Sequence, residues 1–186
     1  EGNDMKKRTL ALLVALVLVV GCIIGGTLAW LTAKTDAVVN TFTTSDIDVT
    51  LTETEEEYKM VPGYTIHKDP KTTVVKGSEE CYLFVKVEKS ANFDSYMTYE
   101  MADGWTALEG VEGVYYREVK TADMGTEFSV LKDDQVTVKG EVTKEMMAEA
   151  ENNQPTLTIT AYASQLYKNN TDTFTAAEAW ANVPKN

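Results

Sequence analysis

The side chains able to do chemistry are few and scattered. His67 is the sole histidine. It lies in Thr65-Ile66-His67-Lys68-Asp69-Pro70 and reads as an exposed strand end. One imidazole cannot supply a two-histidine zinc site, and no H-E-x-x-H, G-x-S-x-G, G-x-G-x-x-G or P-loop pattern occurs. Cys22 sits in an apolar run. Cys81 falls on the apolar side of an alternating stretch and reads as a small buried hydrophobe. Two such cysteines argue against a disulfide-stapled scaffold. Asp46 and Asp48 share a strand face and could begin a weak calcium site, but the further oxygen ligands are not identifiable, so they read as a solvated face. The acidic run 53–57 reads as a solvated loop. No catalytic residue, cofactor site or metal ligand set emerges, and the useful property of such a chain is its shape and its surfaces.

The elements that would build that shape are strands. Ile47, Val49 and Leu51 alternate with polar neighbours, as in a half-buried antiparallel strand. Cys81, Leu83, Val85 and Val87 alternate with Tyr82, Phe84, Lys86 and Glu88. Further strands are expected over residues 72–75, 96–101, 114–119, 127–131, 135–138 and 156–164. The small Ala161 and Ala163 in the last of these imply close packing over them. Pro62-Gly63 fits the centre of a type II turn, and Gly77-Ser78 and Asp133-Asp134 fit hairpin loops. Two short helices are expected, over 143–151 and after the capping box Thr175-Ala176-Ala177-Glu178, with Trp180 a plug over the end of the fold. Many short strands with few helices predict an all-β domain, a Greek-key or jelly-roll sandwich, over residues 43–186.

The first 29 residues are of another kind. Residues 1–4 read as an upstream extension. Met5-Lys6-Lys7-Arg8 is a basic n-region, residues 10–24 are apolar and uncharged, and Gly25, Gly26, Thr27 and Ala29 supply small residues for a signal peptidase. The segment 5–29 is therefore read as a signal peptide, with cleavage around Thr27, Ala29, Trp30 and Ala33. Two alternatives stay open: a membrane-spanning helix over residues 10–31, and lipidation at Val19-Val20-Gly21-Cys22. Cleavage and spanning both place the domain outside the cell, with the membrane engaged only through the uncleaved segment. The chain carries 17 Lys+Arg against 29 Asp+Glu. Such a surface repels nucleic acid and anionic headgroups.

Three stretches carry a family resemblance: GGTLAWLTAKTDAVVNTFTTSDIDVTLTE (25–53), PGYTIHKDPKTTVVKGSEECYLFVKVE (62–88) and LTITAYASQLYKNNTDTFTAAEAWANV (157–183). Together they resemble the TasA/camelysin family of Gram-positive bacteria, whose signal peptides are similar to those cut by the dedicated peptidase SipW. The resemblance implies a secreted jelly-roll subunit of extracellular biofilm matrix fibres, in which the new N-terminus of one subunit completes the sheet of the next. It also brings a rival, since camelysin has been classed as a metallopeptidase. The segment 30–42 carries Ala37, Val38, Val39 and Phe42, apolar residues that suit a donor strand for an open sheet edge. Before cleavage this segment is tethered, so processing would switch assembly on. Two alternatives remain: the same residues pair within their own subunit, or the domain is a monomeric cell-surface binding module. Tyr96, Tyr99, Trp105, Tyr115 and Tyr116 are that module's candidate face.

Overall fold

Antiparallel pairing organises the domain, seen in a computed structural model that describes residues 47–54 and 59–183. The processing residues Thr27, Ala29, Trp30 and Ala33, the candidate donor strand Ala37, Val38, Val39 and Phe42, and also Cys22 and Asp46, lie outside the described residues. So do residues 55–58.

The strands are β1 (Val49–Thr52), β2 (Thr65–His67), β3 (Lys71–Val74), β4 (Cys81–Lys89), β5 (Met97–Thr98), β6 (Thr106–Ala107), β7 (Val114–Val119), β8 (Phe128–Ser129), β9 (Gln135–Val138) and β10 (Leu157–Gln165). They form three antiparallel sheets, ordered β10-β4-β7-β6, β1-β3-β8 and β2-β9-β5. Three short helices accompany them: α1 (Phe93–Tyr96), α2 (Lys144–Ala150) and α3 (Ala176–Ala181). The all-β expectation is met. Strand β6 and helix α1, two and four residues long, are additions to the expected set, and β2 gives the strand that ends at His67.

The two three-stranded sheets continue into one another along two stretches of chain. β2 runs into β3 through Lys68-Asp69-Pro70, and β8 runs towards β9. Lys68 N–H donates to Asp134 O at 2.8 Å and Val130 N–H to Pro70 O at 2.9 Å, so pairing continues across both junctions. From Thr72 to His67 is five residues, but from Phe128 to Gln135 is seven, so two extra residues bulge out of the second strand. Asp133 and Asp134 lie within that stretch with left-handed backbone (φ 55° and 53°). The expected Asp133-Asp134 hairpin is thus a bulge inside a bent ribbon, which adds local twist. Gly77-Ser78 does form a turn, closed by Ser78 N–H to Val75 O, but it links β3 to β4 in a different sheet. Pro62-Gly63 is as expected: Tyr64 N–H donates to Val61 O and Gly63 takes φ 77°, as a type II turn requires.

Both faces of β4 are buried. Cys81, Leu83, Val85 and Val87 face the main core with Val49 and Leu51 of β1, Val74 of β3, Val136 and Val138 of β9, and Ile159, Ala161 and Ala163 of β10. On the other face, Tyr82 and Phe84 pack beneath α3. Trp180 lies 5.2 Å from the Phe84 ring and 5.3 Å from Tyr162, measured between centroids. It covers the outer face of the four-stranded sheet rather than plugging an end. The capping box starts that helix: Glu178 N–H donates to Thr175 Oγ1, and Thr175 N–H donates to Glu178 Oε2. Lys168 beside Glu178, with the Thr175 donors, holds its carboxyl down to about 2.

Candidate assembly edge

Among the described residues, β10 is the longest strand at a sheet edge. Its nine residues pair with β4 along their whole length, whereas the other edge strands have two to four residues. Ser90 N–H donates to Thr156 O and Leu166 N–H to Glu80 O. Because antiparallel bonding alternates, the even-numbered β10 residues between these bonds are the ones that bond β4. Leu157, Ile159, Ala161 and Ala163 therefore turn N–H and C=O groups away from β4, and no backbone partner meets them among the described residues. The side chains of the same residues are buried in the main core. Leu157-Thr158-Ile159-Thr160-Ala161-Tyr162-Ala163-Ser164-Gln165 contains no charge and no proline, the two usual defences of a long edge.

β1 lies against β10 at this flank. Val75 N–H donates to Asp48 O, so Asp48 and Thr50 bond β3 while Ile47, Val49 and Leu51 turn outward.

The far end of β1 is fixed by buried charge. Thr54 donates through its N–H (3.1 Å) and its hydroxyl (2.7 Å) to Asp69 Oδ1. Burial pushes the Asp69 carboxyl up, but those two Thr54 bonds, with His67 and Lys71 nearby, hold it below the usual carboxylate range. Lys68 Nζ donates to Glu53 Oε1 at 2.7 Å, with side chains only 3% and 12% exposed. His67 is an exposed strand end as expected, but Lys68, Asp69 and Glu53 are interior, so the acidic run does not begin as a solvated loop.

The candidate aromatic face is at most half-exposed. Tyr96 is buried and its hydroxyl donates to Met146 O, while Tyr99, Trp105 and Tyr115 pack against the main core and Tyr116 against the second. Aromatics suit strands whichever side they face, which is why the sequence could not orient them. Among the described residues, the exposed ones are Tyr64 (68%) and Tyr167 (42%). Cys81 is fully buried as expected, and burial pushes its thiol up to about 12.

A shallow cavity of about 190 Å3 lies beside the bulge, lined by Thr98, Glu100, Lys132, Asp133, Gln135 and Thr137, with Lys132 paired to Glu100. Among the described residues no group of three His, Cys, Asp or Glu stands close enough to hold a metal ion, and no helix is long and apolar enough to cross a membrane. No family model matches this chain, and no curated protein or solved structure matches it.

Proposed function

We propose that this protein is a secreted structural subunit of an extracellular fibre, a jelly-roll domain that assembles by strand donation after a SipW-type peptidase removes its signal peptide. The observation that carries the reading is the β10 edge: long, uncharged, and offering outward backbone groups while its side chains stay in the core. The donor is the leader 30–42, whose Ala37, Val38, Val39 and Phe42 supply apolar side chains and a backbone for the ladder. Burying the larger three contributes roughly 1.5–3 kcal/mol each at best, less the ordering of the leader. One such contact would not hold a filament, whereas several with a ladder would. The resemblance to TasA-like matrix proteins agrees with this, and packing of the five candidate aromatics against the cores favours it over a binding module.

The test compares a chain starting at Trp30 with one starting at Thr43, by light scattering and negative-stain microscopy. The longer chain should form filaments and the shorter one should fold and remain monomeric. Equal assembly of the two would contradict strand donation. Val39→Asp in the longer chain should also block filaments, because it would bury an unpaired charge.

A further inference from the structure

The bulge before β9 also breaks its ladder with β5. Thr98 lies opposite Thr137, and Met101 lies opposite Leu131 in an isolated bridge. From Thr98 to Met101 is three residues, but from Leu131 to Thr137 is six, so three extra residues stand on the β9 side. Lys68 N–H donates to Asp134 O and Val138 N–H to Tyr64 O. The even-numbered residues here therefore bond the β2 side, and Gln135 and Thr137 turn towards β5. Regular pairing would set Gln135 against Glu100. Glu100 O instead accepts Lys132 N–H at 2.9 Å, from within the bulge. Glu100 N–H, Gln135 N–H and Gln135 C=O are left facing a gap, and among the described residues no backbone partner meets them. That gap is the cavity of about 190 Å3.

We propose that this gap binds a single N-acetylated sugar unit, whose acetamido group takes the place of the missing ladder partner. An acetamido group carries one N–H donor and one C=O acceptor, the pair that Gln135 would meet in an unbroken ladder. Its C=O accepts from Gln135 N–H, and its N–H donates to Gln135 C=O. The Thr98 and Thr137 hydroxyls, the Gln135 side-chain amide and the Asp133 carboxylate line the same cavity. They suit ring hydroxyls, which both donate and accept. Tyr99 also lines it and gives the acetyl methyl an apolar wall. Charge argues for a neutral ligand. Lys132 is paired with Glu100, Asp133 adds a negative charge, and the chain carries 17 Lys+Arg against 29 Asp+Glu, so an anion is repelled. The unpaired N–H donors are poor surroundings for a cation. At about 30 Å3 per water the cavity holds about six waters. Drug-sized sites begin at roughly 300 Å3, so one sugar unit seats here and a longer glycan extends outward. β5 and β9 belong to a different sheet from β10, and the site does not depend on the assembly edge.

The test titrates the processed chain, from Trp30, by saturation-transfer NMR, which reads weak ligands on subunits and filaments alike. The probes are N-acetylglucosamine, glucose, which lacks the acetamido group, and N-methylacetamide, which lacks the ring. N-acetylglucosamine should bind about tenfold more tightly than either, with the strongest transfer at its acetyl methyl. Thr98→Leu/Thr137→Leu removes two hydroxyls and fills the mouth of the gap. It should weaken binding about tenfold with near-UV circular dichroism unchanged. Thr98 is exposed, so Thr98→Leu alone serves if the double variant does not fold, and should weaken binding about threefold. Chitotriose separates the sources: tighter binding than the monosaccharide supports a glycan chain, equal binding supports the free sugar, and both support the site. Glucose binding as tightly as N-acetylglucosamine would overturn the role of the acetamido group. N-methylacetamide binding as tightly would overturn the sugar and make a peptide group the occupant. Transfer to none of the probes would mean that the gap holds water alone, and undiminished binding by folded Thr98→Leu/Thr137→Leu protein would put the ligand elsewhere; either result overturns the proposal.

Discussion

Where β6 and β7 approach β8, side chains join the layers; where β10 and β1 meet, two strand edges run side by side with backbone groups facing outward. At the first flank, the Arg117 guanidinium carbon lies 3.9 Å from the Phe128 ring centroid and 5.3 Å from that of Trp105. Trp105 Nε1–H donates to Ser129 O at 2.9 Å. Gly104 takes φ 86° here, and a Cβ on it would come within 2.6 Å of the Arg117 guanidinium. The edge strands at this flank have two residues each, too short to template another chain. The β10 flank has nine and no gatekeeper. Among the described residues, the same hazard is removed on one side and retained on the other.

The largest effect should follow from breaking the anchor of β1. Lys68→Met removes the buried Lys68–Glu53 ion pair and should destabilise by about 3–5 kcal/mol in urea unfolding. A Lys68→Met/Glu53→Leu double change should recover much of that. Trp105→Ala comes next. It removes the ring and its hydrogen bond from the closed flank and should lower stability by about 2–3 kcal/mol. Filament yield from the protein that remains folded should not rise, because the edges beneath it are short. A rise would erase the distinction between the flanks.

Acid provides a gentler probe of the open flank. The folded Asp69 carboxyl lies below its unfolded value, so its contribution is present above the unfolded value and is lost as pH falls through the folded one. The midpoint of thermal unfolding should fall between neutral pH and about pH 3, and Asp69→Asn should flatten that dependence. The smallest effect should be a gain. Asp133→Gly relieves a left-handed non-glycine residue and should stabilise the fold by about 0.5–1 kcal/mol, seen as a raised Tm without change in assembly.

How much of this was legible in the sequence depends on the range over which each feature is decided. Strand β7, strand β9, the type II turn at Pro62-Gly63 and the Thr175 capping box are local patterns, and each was readable. Strand order was not. Among the paired strands only β6 and β7 are consecutive in the chain, so a turn such as Gly77-Ser78 looks like a hairpin although its flanking strands separate into different sheets. The two-residue bulge at Asp133-Asp134 appears only against its partner strand. The edge position of β10 was equally hidden, since its alternation would be the same at a sheet centre. What the residues did disclose was the missing charge along 157–165 and two small alanines on its core side.

The claim that the outward groups of β10 drive assembly is tested most directly by proline placed at neighbouring positions. Ala161→Pro removes an N–H that faces away from β4, whereas Thr160→Pro removes one from the β4 ladder. Negative-stain microscopy and sedimentation of the processed chain, with near-UV circular dichroism to confirm folding, would compare them, and Ala163→Pro provides a second outward position. The account predicts that Ala161→Pro stays folded yet forms under about a tenth of the wild-type filaments, while Thr160→Pro loses the fold. A folded Ala161→Pro protein that assembles like the wild type would contradict it.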